Sequence, residues 1–267
     1  GHAGTLDPLA TGVLVVAVGS GTRLIEAVQA QAKVYRTVVR LGARSDTLDA
    51  DGTIEENPNP RQPTEEAIRA ALSAQSGTIE QIPPAYSALK VQGKRAYDLA
   101  RAGQTVALEP RTVRIDRIDI RNYEWPLVEL EVACGAGTYI RSIARDLGES
   151  LGCGGLVQVL TRTRIGRFRI EDAVDPDRLS SENILTHLQP LSEAVTDWPR
   201  ANLDDDQTRL IRQGRSLDAS RVHWLSERPS EASDVALFDP SGALLALARF
   251  DPSSGSLAPR RVLGGGK

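Results

Sequence analysis

Residues 1–12, GHAGTLDPLATG, run straight into residues 13–18, VLVVAV. A β-branched apolar run bounded by glycines reads as a buried strand, and the twelve residues before it read as a loop held in place by that strand. The loop contains one carboxylate, Asp7, one imidazole, His2, and two hydroxyls, Thr5 and Thr11. Asp7 precedes Pro8, a pair that favours turns. The commoner role for such an aspartate is to bond its own backbone in an Asx-turn. A chemical role for Asp7 depends on what distant parts of the chain bring to it.

The bulk composition leaves room for that. A chain of 267 residues buries roughly three quarters of its unfolded surface, enough for a core without staples. Apolar residues make up 40% and charged residues 25%, ordinary values for a globular protein. No apolar run approaches the roughly 20 residues that cross a bilayer, and no signal peptide opens the sequence. The two cysteines, Cys134 and Cys153, sit in no metal-ligand pattern, and the three histidines are scattered. A reduced, cytoplasmic setting without a metal is the expectation. The net charge of −3 argues against a nucleic-acid partner, but its distribution does not. Residues 85–170 carry 14 Lys/Arg against 9 Asp/Glu, whereas residues 171–267 carry 11 against 16. Such an asymmetry points the middle of the chain toward something anionic.

Taken in order, residues 33–42 (KVYRTVVRLG) read as a strand with Tyr35 near its start. The acidic run Asp46, Asp49, Asp51, Gly52 fails as a calcium loop, because position twelve falls on Pro58. Neither Gly19-x-Gly21 nor Gly135-x-Gly137 carries the third glycine of a dinucleotide fingerprint. Thr64, followed by Glu65 and Glu66, predicts a capped helix stopped by Gly77. Residues 81–88 are extended through Pro83-Pro84, and residues 94–102 are predicted helical. Tyr86, Lys90, Lys94, Arg95 and Tyr97 interleave aromatics with cations, a texture that suits RNA. Strands are predicted at 113–120 and 128–132. A helix is predicted from Thr138 to about Leu151, with Ile140, Ile143, Ala144, Leu147 and Leu151 as its core stripe. Arg141 lies in its first turn, where the helix dipole disfavours a cation, so it requires an anionic partner. Two short strands, 156–160 and 165–170, follow. Beyond about Asp175 the texture becomes polar, and strands near 235–238 and 243–250 are joined by the turn Asp239-Pro240-Ser241-Gly242.

The candidate reactive groups are Asp7, Tyr35, Arg141 and His2. An aspartate beside an arginine and a tyrosine suits covalent or general-base work at an electrophilic carbon, with Arg141 expected to lower the pKa of Asp7 by about 1–3 units. On these residues alone, an aspartate-dependent hydrolase and a nucleobase-modifying enzyme both stay open.

GHAGTLDPLATG resembles the signature loop of the TruB family of tRNA pseudouridine synthases. The similarity continues collinearly through KVYR and Leu41-Gly42, the acidic run after them, QIPPAYSALKVQGKRAYDLAR (81–101), CGAGTYIRSIARDLGESLGCGG (134–155) and LTRTR (160–164). The resemblance implies an α+β fold with a mixed, largely antiparallel central sheet and flanking helices over residues 1–195. A small β-rich, PUA-like RNA-binding domain is implied over 196–267. It implies isomerisation of a uridine in the T-loop of tRNA, without cofactor or guide RNA, by a monomer. Asp7 matches the catalytic aspartate. Tyr35 matches the tyrosine that packs on the target base, and Arg141 the arginine paired with the carboxylate. Leu160 matches the apolar lining of the base pocket, and His2 a histidine that supports the flipped T-loop. Tyr139 stands beside Arg141 in the same pattern. The family places a Lys-Pro-x-Gly-x-Thr-Ser segment ahead of the loop, which is expected to be missing from a sequence that starts at Gly1. A tRNA-binding folding module in which catalysis is secondary is the alternative reading.

Overall fold

The chain is described from a computed structural model, which covers residues 1–87, 90–91, 94–95 and 108–263. It divides into two compact units. One comprises Gly4–Leu14 and Ala30–Ala173; the other comprises Gly1–Ala3, Val15–Gln29 and Val174–Lys267.

The first unit is built on a seven-stranded sheet. Its strands are β1 (Thr11–Gly12), β2 (Lys33–Leu41), β5 (Gly77–Gln81), β8 (Arg111–Glu124), β9 (Leu127–Cys134), β10 (Gly155–Ile165) and β11 (Phe168–Arg169). The spatial order is β1-β10-β2-β9-β8-β5, with β11 paired to β10. Only β1 runs parallel to its neighbour; the other pairings are antiparallel, as the expected fold class requires. The short pairs β3 (Ala43–Ser45) with β4 (Ile54–Glu56), and β6 (Lys90–Val91) with β7 (Lys94–Arg95), lie outside the sheet.

Alternation decides which face of the sheet is covered. Val128, Leu130 and Val132 are buried while Glu129 and Glu131 project to the other side. The covered face packs against two helices. The Glu65–Ala74 helix starts where Thr64 Oγ1 accepts from Ala67 N at 3.2 Å, and it contributes Ile68 and Leu72. The Ile140–Ser150 helix contributes Ile140, Ile143, Ala144 and Leu147 to the same core. Full burial of each of the Ile and Leu side chains is worth about 1.5–3 kcal/mol. The second helix meets β10 backbone to backbone. A Cβ on Gly148 would stand 2.1 Å from Gly155 N, and one on Gly155 would stand 2.4 Å from Ala144 O. That contact sets the height of the helix over the sheet, and so the place of Arg141 two turns earlier.

Four expectations need correction. Residues 13–18 are not a buried strand. Only Thr11–Gly12 pairs with β10; Val13 is buried, but Leu14, Val16 and Val18 are exposed. From Val15 the chain belongs to the second unit, where Ala3 N donates to Val15 O and Ala17 N to Gly1 O. Alternate residues of the run, Leu14, Val16 and Val18, face outward, and Val15 and Ala17 are half-buried. The two strands expected at 156–160 and 165–170 are one long strand, β10, and a short return, β11. Arg162 and Arg164 do not interrupt it, because bulges adjust the register at Val157/Val159 and Arg162/Arg164. The helix expected over 94–102 does not start at Lys94, since Lys94–Arg95 form β7; the rest of that segment lies outside the described residues. The helix expected from Thr138 begins at Ile140, with Tyr139 as its cap residue.

The second unit is a six-stranded sheet in the order β13-β17-β16-β15-β12-β14. These are β12 (Arg200–Asn202), β13 (Leu217–Asp218), β14 (His223–Trp224), β15 (Ser233–Phe238), β16 (Leu244–Asp251) and β17 (Ser256–Val262). The expected hairpin joins β15 and β16, its turn held by Asp239 Oδ1, which accepts from Ser241 N and Ala243 N. Leu203, Ile211, Leu237, Leu245 and Phe250 form a core of its own.

Candidate active site

The Asp7 loop is a turn, as expected, but its carboxylate is not occupied with that turn. Ala10 N donates to Asp7 O at 2.9 Å, closing residues 7–10 around Pro8. Asp7 Oδ1 instead accepts from Arg141 Nη2 at 2.9 Å. The Asx-turn role is thereby overturned, and the partner demanded by a cation in a helix first turn is found.

Arg141 is the centre of a small network. Nη1 donates to Thr47 O at 3.0 Å and lies 3.4 Å from Asp49 Oδ2, while Nη2 also donates to Tyr86 O at 2.9 Å. The side chains of Arg141 and Asp49 are 5% and 4% exposed, whereas that of Asp7 is 35% exposed. One guanidinium thus bridges a buried carboxylate and an accessible one. Both acceptors contributed by residues 47 and 49 come from a turn whose central residue, Leu48, has φ +66°, a conformation L-residues seldom adopt. Ser45 Oγ donates to Asp49 O at 2.6 Å and Thr47 Oγ1 to Asp49 Oδ1 at 2.5 Å, which keeps that turn closed. The acidic run that failed as a calcium loop therefore serves to present Asp49.

Gln81 fixes the start of the helix that carries Arg141. Its side-chain amide donates to Tyr139 O at 3.1 Å and accepts from Tyr139 N at 2.8 Å, and the residue is 1% exposed. Ser142 Oγ donates to Ile82 O at 2.8 Å, so the extended segment after β5 is tied to the same helical turn.

A cavity of about 110 Å³ opens over Asp7, lined among others by Tyr35, Tyr139, Leu160, Ala10 and Arg162. It is small beside the roughly 300–1,000 Å³ of pockets for drug-sized ligands, and its one carboxylate stands among aromatic, apolar and polar walls, Thr5, Thr138 and Arg162 included. Asp7, Tyr35, Tyr139, Arg141 and Leu160 are therefore brought together. His2 belongs to the other unit, where it is exposed and its backbone bridges Val16.

Burial sets the acid–base character of the site. Desolvation raises the Asp7 carboxyl above its ordinary value, against the opposing charge and hydrogen bond of Arg141. The expected downward shift is thus reversed, because taking the carboxylate out of water outweighs one partner that is shared with Asp49. Burial also raises the phenols of Tyr35 and Tyr139, keeping both protonated at neutral pH. Among the described residues no cluster of His, Cys, Asp and Glu could hold a metal ion.

The sequence reading did not reach Asp49, Gln81 or Arg162 as site residues. Asp49 had no distinguishing mark within an acidic run, and Gln81 acts only through a backbone remote in sequence. Arg162 was visible as a charge between two apolar stretches and as part of LTRTR, neither of which gave it a role.

The architecture is shared with solved structures. It covers 99% of this chain and 76% of a chain in the crystal structure of a Cbf5–Nop10–Gar1 complex, with TM-score 0.77 and 24% identity. A structure of an H/ACA RNP bound to a substrate RNA containing 2′-deoxyuridine matches at TM-score 0.75 and 23% identity, over 99% of this chain and 76% of that one. The fold is thus one shared with the Cbf5 chain of the Cbf5–Nop10–Gar1 complex.

Sequence comparison narrows the class. Residues 1–140 match the model of the TruB family pseudouridylate synthase N-terminal domain, and residues 141–196 match that of the tRNA pseudouridylate synthase B C-terminal domain. Proteins named tRNA pseudouridine synthase B are similar over most of their length. That of Mycobacterium sp. (strain KMS) is 42% identical over 257 residues, covering 94% of this chain and 83% of the relative. That of Thermobifida fusca (strain YX) is 41% identical over 274 residues, covering 99% and 89%. The chain belongs to the TruB family of pseudouridine synthases.

Proposed function

We propose that this chain isomerises uridine to pseudouridine at position 55 in the T-loop of tRNA, with Asp7 as the catalytic residue. The observation that carries the reading is a single accessible carboxylate, held by a buried arginine, in a small cavity walled by Tyr35, Tyr139 and Leu160. Such a cavity takes one extruded base, and extrusion from a folded loop costs a few kcal/mol. Contacts between the cationic middle of the chain and phosphates offset that cost.

In the reaction the N1–C1′ bond breaks, the uracil rotates, and a C5–C1′ bond forms; C5 loses its proton and N1 gains one. The change is redox-neutral and calls for no cofactor. Asp7 attacks C1′ or C6, or takes a proton from C2′. Arg141 holds the carboxylate in place through each of these routes. Tyr35 packs on the base and takes part in removal of the C5 proton, and Leu160 and Tyr139 line the cavity. His2 supports the flipped arrangement of the T-loop. Residues 1–195 form the synthase domain and 196–267 a small PUA-like RNA-binding domain. The protein acts in the cytoplasm on tRNA alone, as a monomer, without guide RNA. No helix among the described residues is long and apolar enough to cross a membrane.

The test is incubation of the purified chain with an unmodified tRNA transcript, followed by mapping of pseudouridine by mass spectrometry after chemical tagging. Modification at position 55 alone, without added RNA, supports the reading. Tight binding with no modification favours the folding-module alternative.

A further inference from the structure

A single guanidinium closes the Asp7 loop at both ends. Arg162 sits on β10 opposite Gly12 of β1 on one side and opposite Tyr35 of β2 on the other. Its side chain turns into the loop, where Nε donates to Val13 O at 2.9 Å, Nη2 to Gly4 O at 3.0 Å, and Nη1 to Thr5 O at 3.4 Å. Gly4 and Thr5 precede Asp7 and Val13 follows it, so the three bonds join the entry of the loop to its exit. The β1–β10 approach at this point is close: Gly12 has φ +104°, and a Cβ there would stand 2.2 Å from Arg162 O.

The chemistry of this contact is unusual for a mere strand clamp. Arg162 is 2% exposed, it bonds three backbone carbonyls and the Tyr35 side chain, and among the described residues no carboxylate is ion-paired with it. A buried cation without a counter-ion is costly, and well-packed apolar side chains hold strands together at no such cost. The guanidinium also lines the cavity with Asp7 and Tyr35, and its charge works against the effect of burial on both of them.

We propose that Arg162 is a positioning residue for the isomerisation, fixing the loop of residues 4–13 so that Asp7 faces the cavity in one orientation. This rests on the reading of Asp7 as the reacting carboxylate. The five donors of a guanidinium span both ends of the loop, whereas the amide of glutamine or the ammonium of lysine reaches one.

Wild type, Asp7→Asn, Arg162→Gln, Arg162→Lys and Thr161→Val are compared for single-turnover rate on a T-arm transcript, RNA affinity, rate against pH, and thermal midpoint. Thr161→Val is the control for strand pairing, since its hydroxyl meets that of Thr11 across the same two strands at 3.0 Å. Misplacing a reacting group by about 1 Å costs on the order of 100-fold in rate, and that loss is expected for Arg162→Gln. RNA affinity should stay within about threefold of wild type, a change of less than 1 kcal/mol. The acid limb should move to higher pH in Arg162→Gln and stay in place in Arg162→Lys, and Thr161→Val should keep the wild-type rate. A rate for Arg162→Gln near that of wild type overturns the proposal. So does a parallel loss of rate and affinity, which makes Arg162 a direct RNA contact, and so does failure of both Arg162 variants to fold, which makes it a general stabiliser. If Asp7→Asn retains the wild-type rate, the assignment of Asp7 is what fails.

Discussion

Arg141 Nη2 reaches Asp7 Oδ1 at 2.9 Å across 134 residues of sequence. The same guanidinium faces Asp49 at 3.4 Å, so two carboxylates share one cation. They share it unequally, since the side chain of Asp49 is almost fully buried and that of Asp7 is open to the cavity. The interior pair makes the fold around the site, and the open carboxylate is left for chemistry.

Removing the cation should therefore damage both. Arg141→Gln leaves Asp49 buried without a counter-ion, and breaking a buried pair on one side costs about 3–5 kcal/mol. The expected result is a fall of that size in unfolding free energy by denaturant titration, together with loss of turnover. A variant as stable as wild type would show that Thr47 and Asp51, which also bond Asp49, suffice to hold it.

Asp7 sets a pH dependence of definite sign. Its folded pKa lies above the ordinary 3.8 because of burial, so the unfolded chain ionises first. Stability attributable to this group is fully present below pH 3.8 and is lost as pH rises through the folded value. Asp7→Asn removes the loss, and at pH 7 its unfolding midpoint should equal or exceed that of wild type, with the difference vanishing near pH 3. The acid limb of the wild-type rate should lie above 3.8. In Arg141→Gln it should move higher, because the opposing charge and hydrogen bond go together.

Tyr35 faces the cavity from β2. Tyr35→Ala should reduce single-turnover rate far more than tRNA affinity, since one stacking contact is worth about 1–3 kcal/mol while most of the affinity comes from phosphate contacts. Filter binding beside rapid-quench kinetics separates the two, and equal losses would remove Tyr35 from the reacting base.

The contact of Gly148 with β10 leaves no space for a methyl group. Gly148→Ala should destabilise the chain by about 1–3 kcal/mol, as overpacking does, and should displace the helix carrying Arg141. A lowered thermal midpoint accompanied by a reduced rate is expected. A wild-type midpoint would mean that the helix lifts off the strand without cost.

Much of this arrangement was legible in the chain itself, for reasons that differ by residue. The Ile140–Ser150 helix shows its core stripe by spacing, and Arg141 shows its need for a partner by standing in the first turn. Asp7, Tyr35 and Arg141 were candidates from their residue types and Leu160 entered through resemblance to a family; Asp7, Tyr35 and Leu160 line one cavity, and Arg141 bonds Asp7 there. Residues 13–18 misled, because β-branched composition reports an extended backbone and not which layer covers it. The sign of the Asp7 shift was hidden as well: the charge of Arg141 is visible in sequence, but the desolvation that outweighs it exists only after folding. Gln81 and Arg162 were hidden for a related reason, since each acts on carbonyl and amide groups of remote backbone, which every residue possesses.

The most direct test is release of tritium from C5-labelled uridine in a tRNA transcript by wild type and by Asp7→Asn. Wild type should release the label from one uridine per tRNA, and the variant should bind the transcript and release none. Release at the wild-type rate by Asp7→Asn would contradict the assignment of Asp7 as the catalytic residue.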